Sequence, residues 1–142
     1  LGKVITLTNH SNGSLLWANP HGMLHSVQPG SREAAGAGVR FRVHDRGLGR
    51  VALESMDGRG FLTVVGLGLS ADVRLMKEES PDSLFQWQDM IRDRQCMLLS
   101  LRTHRHVGIE PESGEPYSAD RPGTRPDRKD GTVLTWAEVA AP

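Results

Sequence analysis

The chain holds little of what most protein chemistry is built on. It has one cysteine, Cys96, so an internal disulfide and a cysteine-based zinc site are both excluded. The neighbours of that thiol, Met97, Leu98 and Leu99, are apolar, which points to a buried structural sulfur and not a nucleophile. Neither sign of charge is in excess. The 17 Lys and Arg balance 17 Asp and Glu, whereas nucleic acid or an anionic membrane would call for a basic surplus. No apolar run approaches the roughly 18 residues of a membrane helix. Helical periodicity is nearly missing as well, and only Arg32–Ala37 offers room for a helical turn. The common catalytic patterns are not there: no Gly-x-Ser-x-Gly elbow, no Gly-x-x-x-x-Gly-Lys-Ser/Thr loop, no His-Glu-x-x-His. Gly66-x-Gly68 is too short for a dinucleotide fingerprint. No catalytic residue, metal ligand set or cofactor is therefore expected. The chain begins at Leu1 without a methionine, as a domain excised from a larger protein or a processed product would.

What the chain does hold is punctuation. Sixteen glycines and eight prolines in 142 residues cut it into short segments that suit strands and turns, and the length fits one domain. Val4–Thr8, Val51–Ser55 and Met97–Leu101 read as strands. Turn chemistry follows each of them, at Asn12-Gly13, at Asp57-Gly58 and in the polar stretch Arg102–Arg105. Second strands are expected at Leu15–Trp17, Phe61–Val65 and His106–Ile109, and third strands at Leu24–Val27, Leu69–Val73 and Tyr117–Ala119. An alternating segment closes each unit: Phe41-Arg-Val43, Phe85-Gln-Trp87 and Leu134-Thr-Trp136. From Val4 to Val51 to Met97 the offsets are 47 and 46 residues, and from Val43 to Trp87 to Trp136 they are 44 and 49. Self-similarity at such a period marks a repeat architecture. Three four-stranded units, spanning about 2–46, 47–93 and 94–139, can close round one axis as a barrel with a hairpin cap, which leaves no open sheet edge. The expected fold is all-β, a β-trefoil of three roughly 45-residue repeats.

With the repeats drawn, Gly49-Arg-Val-Ala-Leu-Glu-Ser-Met-Asp-Gly-Arg-Gly-Phe-Leu-Thr63 resembles the repeat opening of fascin-like domains and of arabinofuranosidase-B-type carbohydrate-binding modules. Asp72-Val-Arg-Leu75, Pro81-Asp-Ser-Leu-Phe85 and Trp87 resemble the closing half of the same repeats, and Leu98-Leu-Ser-Leu101 with Leu134-Thr-Trp136 follows more loosely. The resemblance implies a trefoil appended to a glycoside hydrolase that holds a polysaccharide near a catalytic domain of the same parent chain. An extracellular location goes with it. The pockets of the named families do not carry over, because Thr63-Val64 and Gly108-Ile109 stand where arabinofuranose-binding modules have Arg-His. Gln86 directly precedes Trp87, where ricin-type lectins have Gln-x-Trp.

Phe41, Phe85, Trp87 and Trp136 recur near the end of each unit and are read as core. Trp17 and Tyr117 have no counterparts in the other units and are candidate stacking platforms for a sugar face, with Asn19 and His21, or Asp120, bonding hydroxyls. Asp72, Asp82, His106 and Asp130 complete the ligand-binding candidates. His104-Arg-His106 would place two imidazoles on one side of a strand, but a third metal ligand is not evident. The stretch Glu110–Asp130, with four prolines, reads as a loop broken by one short strand. The expected function is non-catalytic binding of a polysaccharide or oligosaccharide. The alternatives are a fascin-like or growth-factor-like protein-interaction trefoil, or a structural domain packed on a catalytic neighbour.

Overall fold

The computed structural model describes residues 2–66, 72–90, 92–109, 116–117 and 132–140. Among the described residues twelve strands occur, in the expected order. Repeat one comprises β1 (Val4–Asn9), β2 (Leu15–Ala18), β3 (Leu24–Val27) and β4 (Phe41–Asp45). Repeat two comprises β5 (Arg50–Ser55), β6 (Gly60–Val65), β7 (Asp72–Met76) and β8 (Phe85–Asp89). Repeat three comprises β9 (Gln95–Ser100), β10 (Gly108–Ile109), β11 (Pro116–Tyr117) and β12 (Leu134–Val139). The first and last strands of the repeats pair antiparallel in a ring, β1–β4, β4–β5, β5–β8, β8–β9, β9–β12 and β12–β1. The second and third strands form the hairpins β2–β3, β6–β7 and β10–β11. A six-stranded barrel with three hairpins is the β-trefoil.

Several strand boundaries differ from the sequence reading, among them β9, which is Gln95–Ser100 where Met97–Leu101 is expected, and β10, which is Gly108–Ile109 where His106–Ile109 is expected. In repeat two the described third strand is Asp72–Met76 and runs three residues past Val73, with Val73 opposite the buried Val64 and Leu75 opposite Leu62, while residues 69–71 lie outside the described residues. In repeat three the described strand is Pro116–Tyr117, and residues 118–120 lie outside the described residues. The candidates Asp120 and Asp130 lie outside them as well, as do the side chain of Tyr117 and the rest of the 110–130 stretch. The helical turn foreseen at Arg32–Ala37 is two short 3-10 turns, Glu33–Ala35 and Ala37–Val39.

The core follows from strand alternation. Ile5, Leu7, Leu53, Leu98, Phe41, Phe85 and Leu134 point inward from the barrel, and Leu16, Leu62, Val64, Val107 and Ile109 from the hairpins. At the end of each first strand sits a buried polar residue: Asn9, Ser55 and Ser100. Each side chain accepts a hydrogen bond from the backbone N–H two residues on, at Ser11 (2.9 Å), Asp57 (3.4 Å) and Arg102 (3.2 Å). This is the physical content of the Ser-containing turn in the sequence. A buried side-chain oxygen satisfies a turn amide where the chain leaves the barrel for a hairpin. The glycine of Gly60-Phe-Leu is explained too. It has φ +117°, and a Cβ there would overlap the Met76 carbonyl.

Candidate functional site

The last strands of the repeats build the open end of the barrel, away from the hairpins. Phe41, Phe85 and Leu134 are sealed in the core. Two residues further on, on the same face of each strand, stand Val43, Trp87 and Trp136. The backbone holds these three in one way. Val43 N–H donates to the Lys3 carbonyl (2.8 Å), Trp87 N–H to Gly49 (2.9 Å) and Trp136 N–H to Arg94 (2.9 Å). Each acceptor is the residue before the first strand of a repeat, so the mouth carries two concentric triads, Val43/Trp87/Trp136 within and Lys3/Gly49/Arg94 around.

The triads are unequal, and the inequality makes a cleft. The two indoles meet edge to face, with ring centroids 6.3 Å apart at 68°. Val43 in the third place is too small to complete the layer. A cleft of about 300 Å³ results, lined by Lys3, Ile5, Val43, Trp87, Asp89 and Trp136. Trp87 and Trp136 pack against the core and are only partly buried. The core reading thus holds outright for Phe41 and Phe85, while the tryptophans have one side in the core and one on the cleft. Around them the charge is ordered. Trp87 Nε1–H donates to Asp89 Oδ1 (2.9 Å), which fixes the carboxylate. The Arg94 guanidinium lies 5.0 Å from the Trp136 ring centre and the Lys3 ammonium 5.8 Å. Lys3 also pairs with Glu138 at 3.6 Å.

The residues singled out from the sequence lie elsewhere, on separate hairpins and turns. Trp17 is half-buried on β2, its ring against Gly38, where a Cβ would stand 3.1 Å from two ring atoms. Asn19 and His21 share one turn, in which Asn19 Oδ1 accepts from the N–H of His21 (3.0 Å) and of Met23 (2.9 Å). Asp72 is exposed at the start of β7, with Arg74 3.7 Å away. His106 precedes β10, and its Nε2 is bonded to Gln88 Oε1 at 2.7 Å. His104 has φ +58° in the turn 101–105, so it does not share a strand face with His106. Among the described residues no three His, Cys, Asp or Glu side chains are placed to hold a metal ion. Asp82 does line a cleft, on the flank of repeat two, where its Oδ2 accepts from Arg102 Nη1 at 2.9 Å.

Cys96 is fully buried, and burial together with the nearby Asp89 carboxylate pushes its thiol up to about 12, so it stays protonated and inert. Sequence reasoning passed over the mouth because strand alternation marks a residue as inward without saying how near the barrel's end it lies. The available signal was Asp45 and Asp89, each two residues past its triad position, where a charged side chain marks the strand running out into solvent.

No family model and no curated protein matches the sequence. Among solved structures, the chain is similar to a designed three-fold symmetric protein, ThreeFoil, at TM-score 0.74 and 15% identity, over 96% of this chain and 99% of that one. At that identity the likeness concerns architecture: this chain is a β-trefoil.

Proposed function

We propose that the domain is a non-catalytic carbohydrate-binding module and that its site is the barrel mouth. The observation that carries this reading is the pairing of two partly exposed indoles with a fixed carboxylate and an ammonium in one cleft of about 300 Å³. Sugar C–H faces pack on indole, while hydroxyls need both acceptors and donors, which Asp89 and Lys3 supply. Hydrolysis of a glycosidic bond commonly employs two carboxylates across the sugar, and Asp89 is the one carboxylate among the described residues lining this cleft. A single cleft of this size takes one or two sugar units and binds weakly. Attachment to a polysaccharide-active parent chain, with an extracellular location, would suit that role, since tethering raises the effective concentration on a polymer.

The test is native gel electrophoresis of the domain through soluble arabinan, arabinoxylan, xylan, glucans and galactans. Retardation by one polymer, relieved by its oligosaccharide and reduced at least about tenfold in affinity by Trp136→Ala, a loss of about 1.4 kcal/mol or more, supports the reading. Migration unchanged by every polymer would sink it and turn attention to protein partners, the fascin-like alternative.

A further inference from the structure

The three-fold frame lets one place be compared across repeats. Leu15, Phe61 and His106 pair with Thr8, Glu54 and Leu99 at the ends of the first strands, so Trp17, Thr63 and Gly108, two residues further along, are equivalent. Phe41 and Phe85 open β4 and β8, which makes Gly38 and Asp82, three residues earlier, equivalent too. In repeat one the Trp17 indole lies against Gly38. In repeat two Thr63 replaces the indole, Asp82 replaces the glycine, and a cleft of about 420 Å³ stands open. Val65 and Met76, 36% and 44% exposed, form its apolar wall, with the nearly buried Thr63 at its floor. The rim carries Lys77, Asp82 and Arg102. Arg102 is held in place, its Nε donating to the Gly66 carbonyl at 2.8 Å and its Nη1 to Asp82 at 2.9 Å.

We propose that this cleft docks a tryptophan side chain presented by a partner polypeptide. The chain supplies the precedent itself, because repeat one seats an indole at the corresponding place in the same frame. An aromatic anchor in an apolar recess ringed by polar groups is how protein interfaces concentrate their binding energy. The rim ammonium, carboxylate and guanidinium suit the peptide groups that flank such an anchor and that free indole lacks. The cleft shares no lining residue with the barrel mouth, so the proposal stands or falls independently of the sugar reading.

The experiment is a methyl-resolved NMR titration of the whole chain with the capped tripeptide Gly-Trp-Gly, using capped Gly-Leu-Gly and indole as controls. Saturable shifts are expected at the Thr63, Val65 and Met76 methyls, with affinity at least about tenfold lower for either control. Thr63→Trp, which refills the cleft from within, abolishes them and raises Tm. If that variant fails to fold, Thr63→Trp with Asp82→Gly rebuilds the repeat-one pair and gives the same loss. No saturable shift, equal affinity for the leucine peptide or for indole, or shifts that persist in the folded tryptophan variant would each overturn the proposal.

Discussion

At the scale of single residues, the glycine at 60 and the ion pair beside it explain most of the distinctive middle-repeat motif. Gly60→Ala would force a methyl group into the Met76 carbonyl while holding φ at +117°, and nothing in a hydrogen-bonded hairpin can yield cheaply. A loss of about 3 kcal/mol or more is expected in urea denaturation. Arg59 ties two repeats together. Its guanidinium donates to the carbonyls of Ala18 (2.9 Å) and Asn19 (2.5 Å) in repeat one while pairing with Asp57 in its own turn. Burial pushes the Asp57 carboxyl up, but hydrogen bonds from Arg59 and Ser55, with the adjacent guanidinium charge, outweigh it and leave the carboxyl below its ordinary value. A carboxylate depressed by folding stabilises the native state above the unfolded pKa, and that contribution is lost as pH falls through the folded pKa. The stability gap between the wild type and Asp57→Asn should therefore close as pH drops below about 4, which denaturant titration at several pH values measures. A gap that stays constant would mean that Asp57 acts only through packing.

At the scale of elements, the first strands were legible as β-branched or apolar runs of five or six residues. β1 alternates beyond Ile5, whereas β5 and β9 each bury three consecutive residues, Val51–Leu53 and Cys96–Leu98. β6 was legible as Phe61–Val65, one residue short of its observed start, although Thr63 on its outward face is itself buried. The turn caps were visible as residue types but not as a set. Asn stands in repeat one where Ser stands in the others, and the three could be equated only once register was known. Asn9 does more than the two serines, since its Nδ2 also donates to the Ile109 carbonyl at 3.1 Å across the fold. Ser55→Ala and Ser100→Ala should each cost about 1 kcal/mol, and Asn9→Ala about 2–3, because it strands a buried carbonyl as well as a turn amide. Equal losses at all three positions in thermal denaturation would show that the link to Ile109 contributes nothing. The barrel mouth was hard to read for a related reason. Lone aromatics stand out in a sequence, yet Trp17 fills a place inside its own repeat, while the recurrent tryptophans that looked structural are the ones that face a cleft.

At the scale of the molecule, what distinguishes this trefoil is where its symmetry fails. Val43→Trp would complete the inner triad of the mouth, and the added indole should fill the cleft, raise Tm and weaken polysaccharide retardation together. Loss of stability would mean that the void cannot accept a ring. Cys96, sealed within the barrel, reports on global opening. Its thiol should resist a disulfide reagent in the native state and react at the rate of unfolding in denaturant. Because its folded pKa is raised, the stability it lends is complete below the unfolded thiol value and declines as pH climbs from about 8.5 toward the folded value of about 12.

The barrel closes through its first and last strands. β1 shares six register pairs with β12, from Val4 opposite Val139 to Asn9 opposite Leu134, and two with β4 of its own repeat. Within this domain the ribosome therefore makes first a strand whose principal partner is the last of the twelve described. Until Leu134–Val139 has left the tunnel, Val4–Asn9 offers a bare, β-branched edge to any passing chain. Ring closure thus turns the direction of synthesis into a waiting time, and it makes the first strand of the domain the place where a chaperone has most to shield.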